Sequence, residues 1–264
     1  MALKLPSRGR KGYDKVLMFR WLIYKHLMQC SYRDLEGMTG IDYTTFIKFR
    51  KRLLRAHWFS EVFTALSGFI ASHLSSIIAV LDSSFVETYS GHDEQGSAYN
   101  GYKEKNGFKL HQIIDYETRL PLLQQATPGA RADIVWGARL IERAPPHWKV
   151  RGLLADKAYD GIDFVMEIKE KWEGVRIGIP VRRTHAEVLG FSTLSIRRNR
   201  RHKEAERCLR KRFLNKRTEI ERYFSRKKRV FGLGEERTRH LKNFRANCDM
   251  TSIMEILEWS TTPQ

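Results

Sequence analysis

The sequence predicts a mixed α/β protein with a small helical module ahead of the sheet. Helical periodicity with capping residues recurs through 13–55. Short unbroken apolar runs of strand type recur through 76–181. At 264 residues, 42% hydrophobic and 11% aromatic, the chain can bury a real core and is not a disordered tail.

Residues 13–30 read as a helix, with Val16, Phe19, Ile23 and Leu27 on one stripe, widened by Trp21, Leu22 and Met28. Ser31 caps a second, short helix, with Asp34 where a capping carboxylate sits and Gly37 and Gly40 punctuating it. Asp42 caps a third, in which Phe46, Phe49 and Leu53 share a face and Lys48, Lys51, Arg52 and Arg55 lie mostly off it. Short helix, Gly-containing turn and basic helix make a helix-turn-helix pattern. A structural three-helix module without DNA contact fits the same pattern.

Ile77 to Leu81 is an apolar run closed by Asp82, as expected of a strand buried on both faces. After a polar, Gly-rich stretch at 89–106, residues 107–114 and 120–126 read as two further strands, joined by a turn at 115–119. Gly129 ends this meander. A helix at 134–141 follows and is stopped by Pro145 and Pro146. Residues 151–155 form a fourth strand, again closed by an acid, Asp156. A helix opens at Ile162, and 175–181 reads as a fifth strand. The very basic segment from Arg197, 197–229, is helical in composition, most clearly at 215–228.

The net charge of +18 is segregated. Residues 1–75 carry 13 Lys/Arg against 5 Asp/Glu, and 197–229 carry 16 against 4; the middle and the tail are near neutral. Phosphate backbones attract such clusters through Coulomb energy and counterion release, so a nucleic-acid partner is expected. No apolar run approaches the roughly 18 residues of a membrane span. Residues 1–15 lack a secretory apolar region. Cys30, Cys208 and Cys248 are few and far apart, which argues against a disulfide framework or a cysteine zinc site. The expected location is cytoplasmic, on DNA.

Asp82 and Asp156 each end a run that reads as a buried strand. If those strands are neighbours, both carboxylates emerge at one sheet edge, where like charges need a cation between them. Mg²⁺ suits such oxygen ligands. Glu221 is the candidate third ligand, with Arg217, Phe224 and Lys228 on its helix face. A surface ion-pair ladder would leave the same helical pattern, and strand-end aspartates also serve as plain caps. His111 reads as a strand residue, and Trp136, Trp148 and Trp172 as core aromatics.

These residues resemble the DDE transposases of bacterial and archaeal insertion sequences, the group whose third motif is Tyr-x2-Arg-x3-Glu-x6-Lys. Arg217, Glu221 and Lys228 keep the spacing, while Leu214 stands at the motif tyrosine. The first motif resembles Val80-Leu81-Asp82-Ser83-Ser84, and the second Ala155-Asp156-Lys157-Ala158-Tyr159-Asp160. Gly107, Lys109 and His111, then Pro128, Gly129 and Asp133, are similar to the strands and turn between them.

The resemblance implies a ribonuclease-H-like catalytic domain over 76–264 behind a helical DNA-binding domain over 1–75, with a basic insertion around 178–215. It implies a catalytic, metal-holding triad of Asp82, Asp156 and Glu221 with two Mg²⁺ ions, Mn²⁺ being the substitute ion. DNA contacts are expected from Arg217, Lys228, Lys157 and Tyr159, and from Lys48, Lys51, Arg52 and Arg55. The implied function is metal-dependent cleavage at insertion-sequence ends and strand transfer into target DNA. Partners would be the terminal inverted repeats, target DNA and a second copy in a homodimeric DNA complex. One alternative is a DNA-binding relic or repressor without transposition. Another is a non-transposing nuclease on the same core.

Overall fold

The structure is a computed structural model that describes residues 12–88, 96–182, 203, 217–234 and 240–261. The expected basic insertion falls largely outside the described residues, and Leu214 wholly so.

Helices α1 (Lys15–Leu27), α2 (Tyr32–Thr39) and α3 (Tyr43–Arg55) form the expected module. Ser31 and Asp34 make a complete capping box, Ser31 N–H donating to Asp34 Oδ2 at 2.6 Å and Asp34 N–H to Ser31 Oγ at 3.1 Å. Asp42 caps α3 by accepting from Thr44 N–H at 2.8 Å. Phe46, Phe49 and Leu53 are buried, and Lys48, Lys51, Arg52 and Arg55 are exposed, as the spacing predicts. The face of α1 is rotated from expectation: Met18 and Leu22 are its buried pair, while Val16 and Leu27 face solvent.

A further helix, α4 (Trp58–His73), leads into the sheet. Its strands are β1 (Ile77–Glu87), β2 (Ala98–Asn100), β3 (Lys105–Asp115), β4 (Pro121–Pro128), β5 (Val150–Ala155) and β6 (Arg176–Gly178). The order β2-β3-β1-β5-β6, with β4 also on β3, joins an antiparallel half (β1, β2, β3, β4) to a parallel half (β1, β5, β6). Helices α5 (Asp133–Arg143) and α6 (Ile162–Lys171) follow β4 and β5. β6 is shorter than the strand expected at 175–181, since pairing stops at Gly178 and Pro180 has no N–H to give a ladder.

Two helices close the molecule, α7 (Thr218–Val230) and α8 (Leu241–Thr261). Alternate residues of β1 face opposite sides, as a pleated strand requires. Ile77, Ala79 and Leu81 join the core shared with α4, α5 and α6; Ile78 and Val80 join the core shared with α7. α8 is long enough to serve several cores: Phe244 and Cys248 pack with α7, Ile253 and Ile256 with the α5 and α6 side, and Ala246 and Met250 with Phe46, Leu53 and Phe59 of the N-terminal helices.

On its inner face α7 carries Ile220, Tyr223 and Phe224, and then Lys227, which is fully buried. The Lys227 ammonium is satisfied by Ser252 Oγ at 2.7 Å, Tyr223 Oη at 2.9 Å, Glu255 Oε2 at 3.2 Å and Gln112 Oε1 at 3.4 Å. Gln124 extends the network, Ser252 Oγ donating to its Oε1 at 2.7 Å and its Nε2 donating to Asp249 at 2.6 Å. A network that fills the donors of a buried cation fixes one seating of α7 and α8 on the sheet.

Candidate active site

Asp82 does not end its strand. β1 runs on to Glu87 because residues 82–87 keep antiparallel partners on β3, from Gln112 to Gly107. On the other side β5 stops. Leu81 is the parallel partner of Ala155, the last residue of β5, and Asp156 follows where the chain turns away. Asp82 and Asp156 therefore stand side by side where β1 loses its parallel neighbour. Strand alternation points Asp82 to the α7 face, with Ile78 and Val80.

Asp82 is half-buried, and its Oδ1 accepts the Ser83 N–H at 2.8 Å. Burial pushes its carboxyl up to about 7, against the Ser83 hydrogen bond and the Arg217 charge; the neighbouring carboxylates of Asp156 and Asp133 add to the rise. Asp156 is more exposed, at 42%, and caps the short turn Lys157–Tyr159.

α7 lays the third carboxylate across this edge. Its inner face goes into the sheet, and Glu221 remains on the rim, 55% exposed. Arg217, one turn earlier, places Nη1 3.1 Å from Glu221 Oε1 and 4.0 Å from Asp156 Oδ2. The guanidinium thus links the two carboxylates. At the far end of α7, the Lys228 ammonium donates to the Phe85 carbonyl at 3.2 Å, three residues beyond Asp82 on β1.

Behind Asp82, on the opposite sheet face, lies a second polar node. Asp133, first residue of α5, has Oδ1 accepting from Ser83 Oγ at 2.7 Å and from Lys109 Nζ at 3.0 Å. His111 is fully buried; one ring nitrogen meets Thr127 Oγ1 at 3.0 Å and Nδ1 lies 3.6 Å from Asp133. This node ties the residue after Asp82 to the start of α5. It was not legible as a unit, because its members are scattered over four elements; Ser83, Lys109, His111 and Asp133 carried motif signal singly, and Thr127 carried none.

Of the residues expected at DNA, Lys157 is exposed beside Asp156, and Lys48, Lys51, Arg52 and Arg55 are exposed on α3. Tyr159 is a correction. It is 1% exposed, packed beside Phe164 and over Gly137, where a Cβ would lie 2.8 Å from the ring. It is a core aromatic and presents no surface to a ligand. Trp148 and Trp172 are buried as expected, while Trp136 is half-buried with the Arg139 guanidinium over its ring at 4.4 Å.

The donor set suits a hard divalent cation in part. Two adjacent carboxylates are in place, one of them held half-buried next to its like-charged neighbours. Among the described residues no three His, Cys, Asp or Glu side chains are gathered closely enough to hold a metal ion. Glu221, the third donor expected from the sequence, is engaged by Arg217.

Residues 73–254 match the family model described as Transposase DDE domain. The chain belongs to the DDE transposase family. The matched stretch starts at the end of α4 and takes in the whole sheet, α7 and most of α8. A piggyBac transposase, solved in a synaptic complex with hairpin DNA, has a similar fold: the TM-score is 0.55 at 10% identity, over 97% of this chain and 67% of that one. No curated protein sequence matches the chain. This family member is thus a mixed α/β protein of ribonuclease-H-like fold with a helical N-terminal region. Among its described residues no helix is long and apolar enough to cross a membrane.

Proposed function

We propose that this chain is an active insertion-sequence transposase that cleaves DNA at the ends of its element and joins the freed 3′ ends to target DNA, using Asp82, Asp156 and Glu221. The observation that carries this reading is the placement of Asp82 and Asp156 side by side, where β5 ends against β1, with Glu221 joined to Asp156 through Arg217. Family membership supports transposition-related chemistry in general; the assignment of these three residues rests on their geometry and motif spacing.

Asp82, Asp156 and Glu221 would hold divalent cations, Mg²⁺ in the first instance. Such ions, when bound, sharpen the acidity of an attacking hydroxyl and take up charge on the leaving 3′ oxygen. The chain's own residues do the rest. Asp82, flanked by other carboxylates, gains most from a nearby positive charge. Ser83 N–H fixes one of its oxygens. Arg217 holds Asp156 and Glu221 together and is placed to exchange a carboxylate for a phosphate oxygen. Lys228 and Lys157 supply positive charge along the approach. Water would be the nucleophile in end cleavage, and the freed 3′-OH in joining, with the same residues serving both.

The alternative is a DNA-binding relic of the same fold, and the Arg217–Glu221 contact is the observation on its side. Cleavage by the full chain of a labelled duplex carrying its terminal repeats separates the two. Asp82→Asn and Asp156→Asn should each lower Mg²⁺-dependent nicking at least a hundredfold while DNA affinity stays within a few fold. Full nicking by either variant would remove that residue from the site, and tight binding without nicking by the wild type would favour the relic.

A further inference from the structure

Away from the carboxylates, the last helix meets the N-terminal helices around a cleft of about 570 Å³. Its walls come from three places in the sequence: Lys51 and Arg55 from the end of α3, His57 from the entry to α4, and His240, Lys242 and Arg245 from the start of α8. Lys51, Arg55, Lys242 and Arg245 are all exposed, and none forms an ion pair among the described residues. Asp249 is the acid on the lining; it is buried, and its Oδ1 is taken by Gln124 Nε2 at 2.6 Å. Like charges brought this close in a folded protein repel unless an anion joins them.

The two walls are bolted together. The Arg50 guanidinium on α3 donates to Asn247 Oδ1 at 2.8 Å and to Asn243 Oδ1 at 3.4 Å on α8. Beneath them Ala246 and Met250 pack with Phe46, Phe49 and Phe59. The helices that carry these cations are therefore fixed to one another although nearly two hundred residues separate Lys51 from Lys242 in the chain.

We infer that this cleft is a composite docking site for the backbone of duplex DNA, in which the start of α8 extends the basic surface of α3. The inference rests on the DNA reading above and deepens it: Lys242 and Arg245 lie in a helix that the helix-turn-helix pattern does not include. Charge complementarity selects the occupant. Exposed cations from two helices, lining one cleft with no ion pair among the described residues beyond the pull of Arg245 on buried Asp249, match the repeated charges of a phosphate chain.

The test is fluorescence anisotropy of a labelled 30-base-pair duplex with the full chain across a salt series. Phosphate contacts give a slope in log K against log salt of about −0.9 each. Lys242→Ala/Arg245→Ala and, separately, Lys51→Ala/Arg55→Ala should each flatten the slope by about two and leave the melting temperature unchanged. Lys242→Arg/Arg245→Lys should restore it. The control pair Lys149→Ala/Arg151→Ala, at the opposite end of β5, should keep the wild-type slope. A wild-type slope for the α8 pair alongside a loss for the α3 pair overturns the composite site while leaving the DNA reading intact. Absence of salt-dependent binding by the wild type overturns both. Displacement of the duplex by single-stranded RNA at equal concentration overturns the assignment to duplex DNA.

Discussion

Arg217 stands between Asp156 and Glu221, its Nη1 3.1 Å from one carboxylate and 4.0 Å from the other. Asp82, beside Asp156, is left with a carboxyl that burial pushes up to about 7. A single guanidinium thus offsets part of the charge of the two more exposed acids, while burial raises the third, Asp82, toward its protonated form. A divalent cation would supply the positive charge that this arrangement lacks.

Asp82 makes a prediction about stability. Its folded-state carboxyl titrates above the ordinary carboxylate value, so the native state binds the proton more tightly than the unfolded chain. Ionising it therefore weakens the fold progressively as pH rises from about 4 to about 7, and the full cost persists above that. Asp82→Asn should stabilise the metal-free protein at pH 8 by on the order of 1–3 kcal/mol, with the gain vanishing near pH 4. Urea denaturation in EDTA reads this directly. Equal stability of variant and wild type at pH 8 would mean that the carboxylate is well solvated.

Arg217 should matter little to the fold and much to the chemistry. Its contacts are partly exposed, and such pairs contribute roughly 0.2–1 kcal/mol. Arg217→Gln should shift the denaturation midpoint only slightly while lowering cleavage at least tenfold at saturating DNA. A large loss of stability with unchanged cleavage would make it a structural clamp.

Lys227 should behave in the opposite manner. It is fully buried, and its ammonium lies 3.2 Å from Glu255 Oε2. Lys227→Met strands that carboxylate and should cost about 3–5 kcal/mol; Lys227→Met/Glu255→Leu should recover most of it. A double variant no more stable than the single one would show that the network is held by Ser252, Gln112 and Gln124 rather than by the ion pair.

His111 supplies a pH dependence of its own. Burial lowers its imidazole to about 4, against the pull of Asp133, so the native state keeps the ring neutral. The unfolded chain takes up a proton first, and the stability this ring contributes is lost as pH falls from about 6.5 to about 4. His111→Gln should remove that component, which amounts to as much as about 3 kcal/mol at pH 4. Parallel stability-versus-pH curves for variant and wild type would place the acid sensitivity elsewhere.

Local signals in the sequence were reliable where the physics is local. Ser31 with Asp34, and Asp42 ahead of Phe46, identify helix starts because a cap and its helix are contiguous. Arg217, Glu221 and Lys228 could be paired by spacing on one helix. What the pattern missed depends on distant partners. The apolar run stops at Leu81, yet β1 continues, because β3 offers partners out to Gly107 and β5 does not extend past Ala155. α8 escaped notice because it is enclosed by several cores and buries polar residues such as Asp249, Ser252 and Glu255, leaving no single apolar stripe. Tyr159 looked like a motif neighbour of Asp156 available to DNA, but the short turn after β5 swings its ring into the space that Gly137 leaves free.

The central claim is that Glu221 completes a cation-dependent cutting centre with Asp82 and Asp156, and single-turnover cleavage of the labelled terminal-repeat duplex by wild type and Glu221→Gln tests it most directly. The account predicts Mg²⁺-dependent nicking by the wild type, none in EDTA, and a loss of at least a hundredfold in the variant with DNA affinity preserved. Wild-type nicking rates in Glu221→Gln would contradict it and leave Arg217–Glu221 as an ordinary surface ion pair.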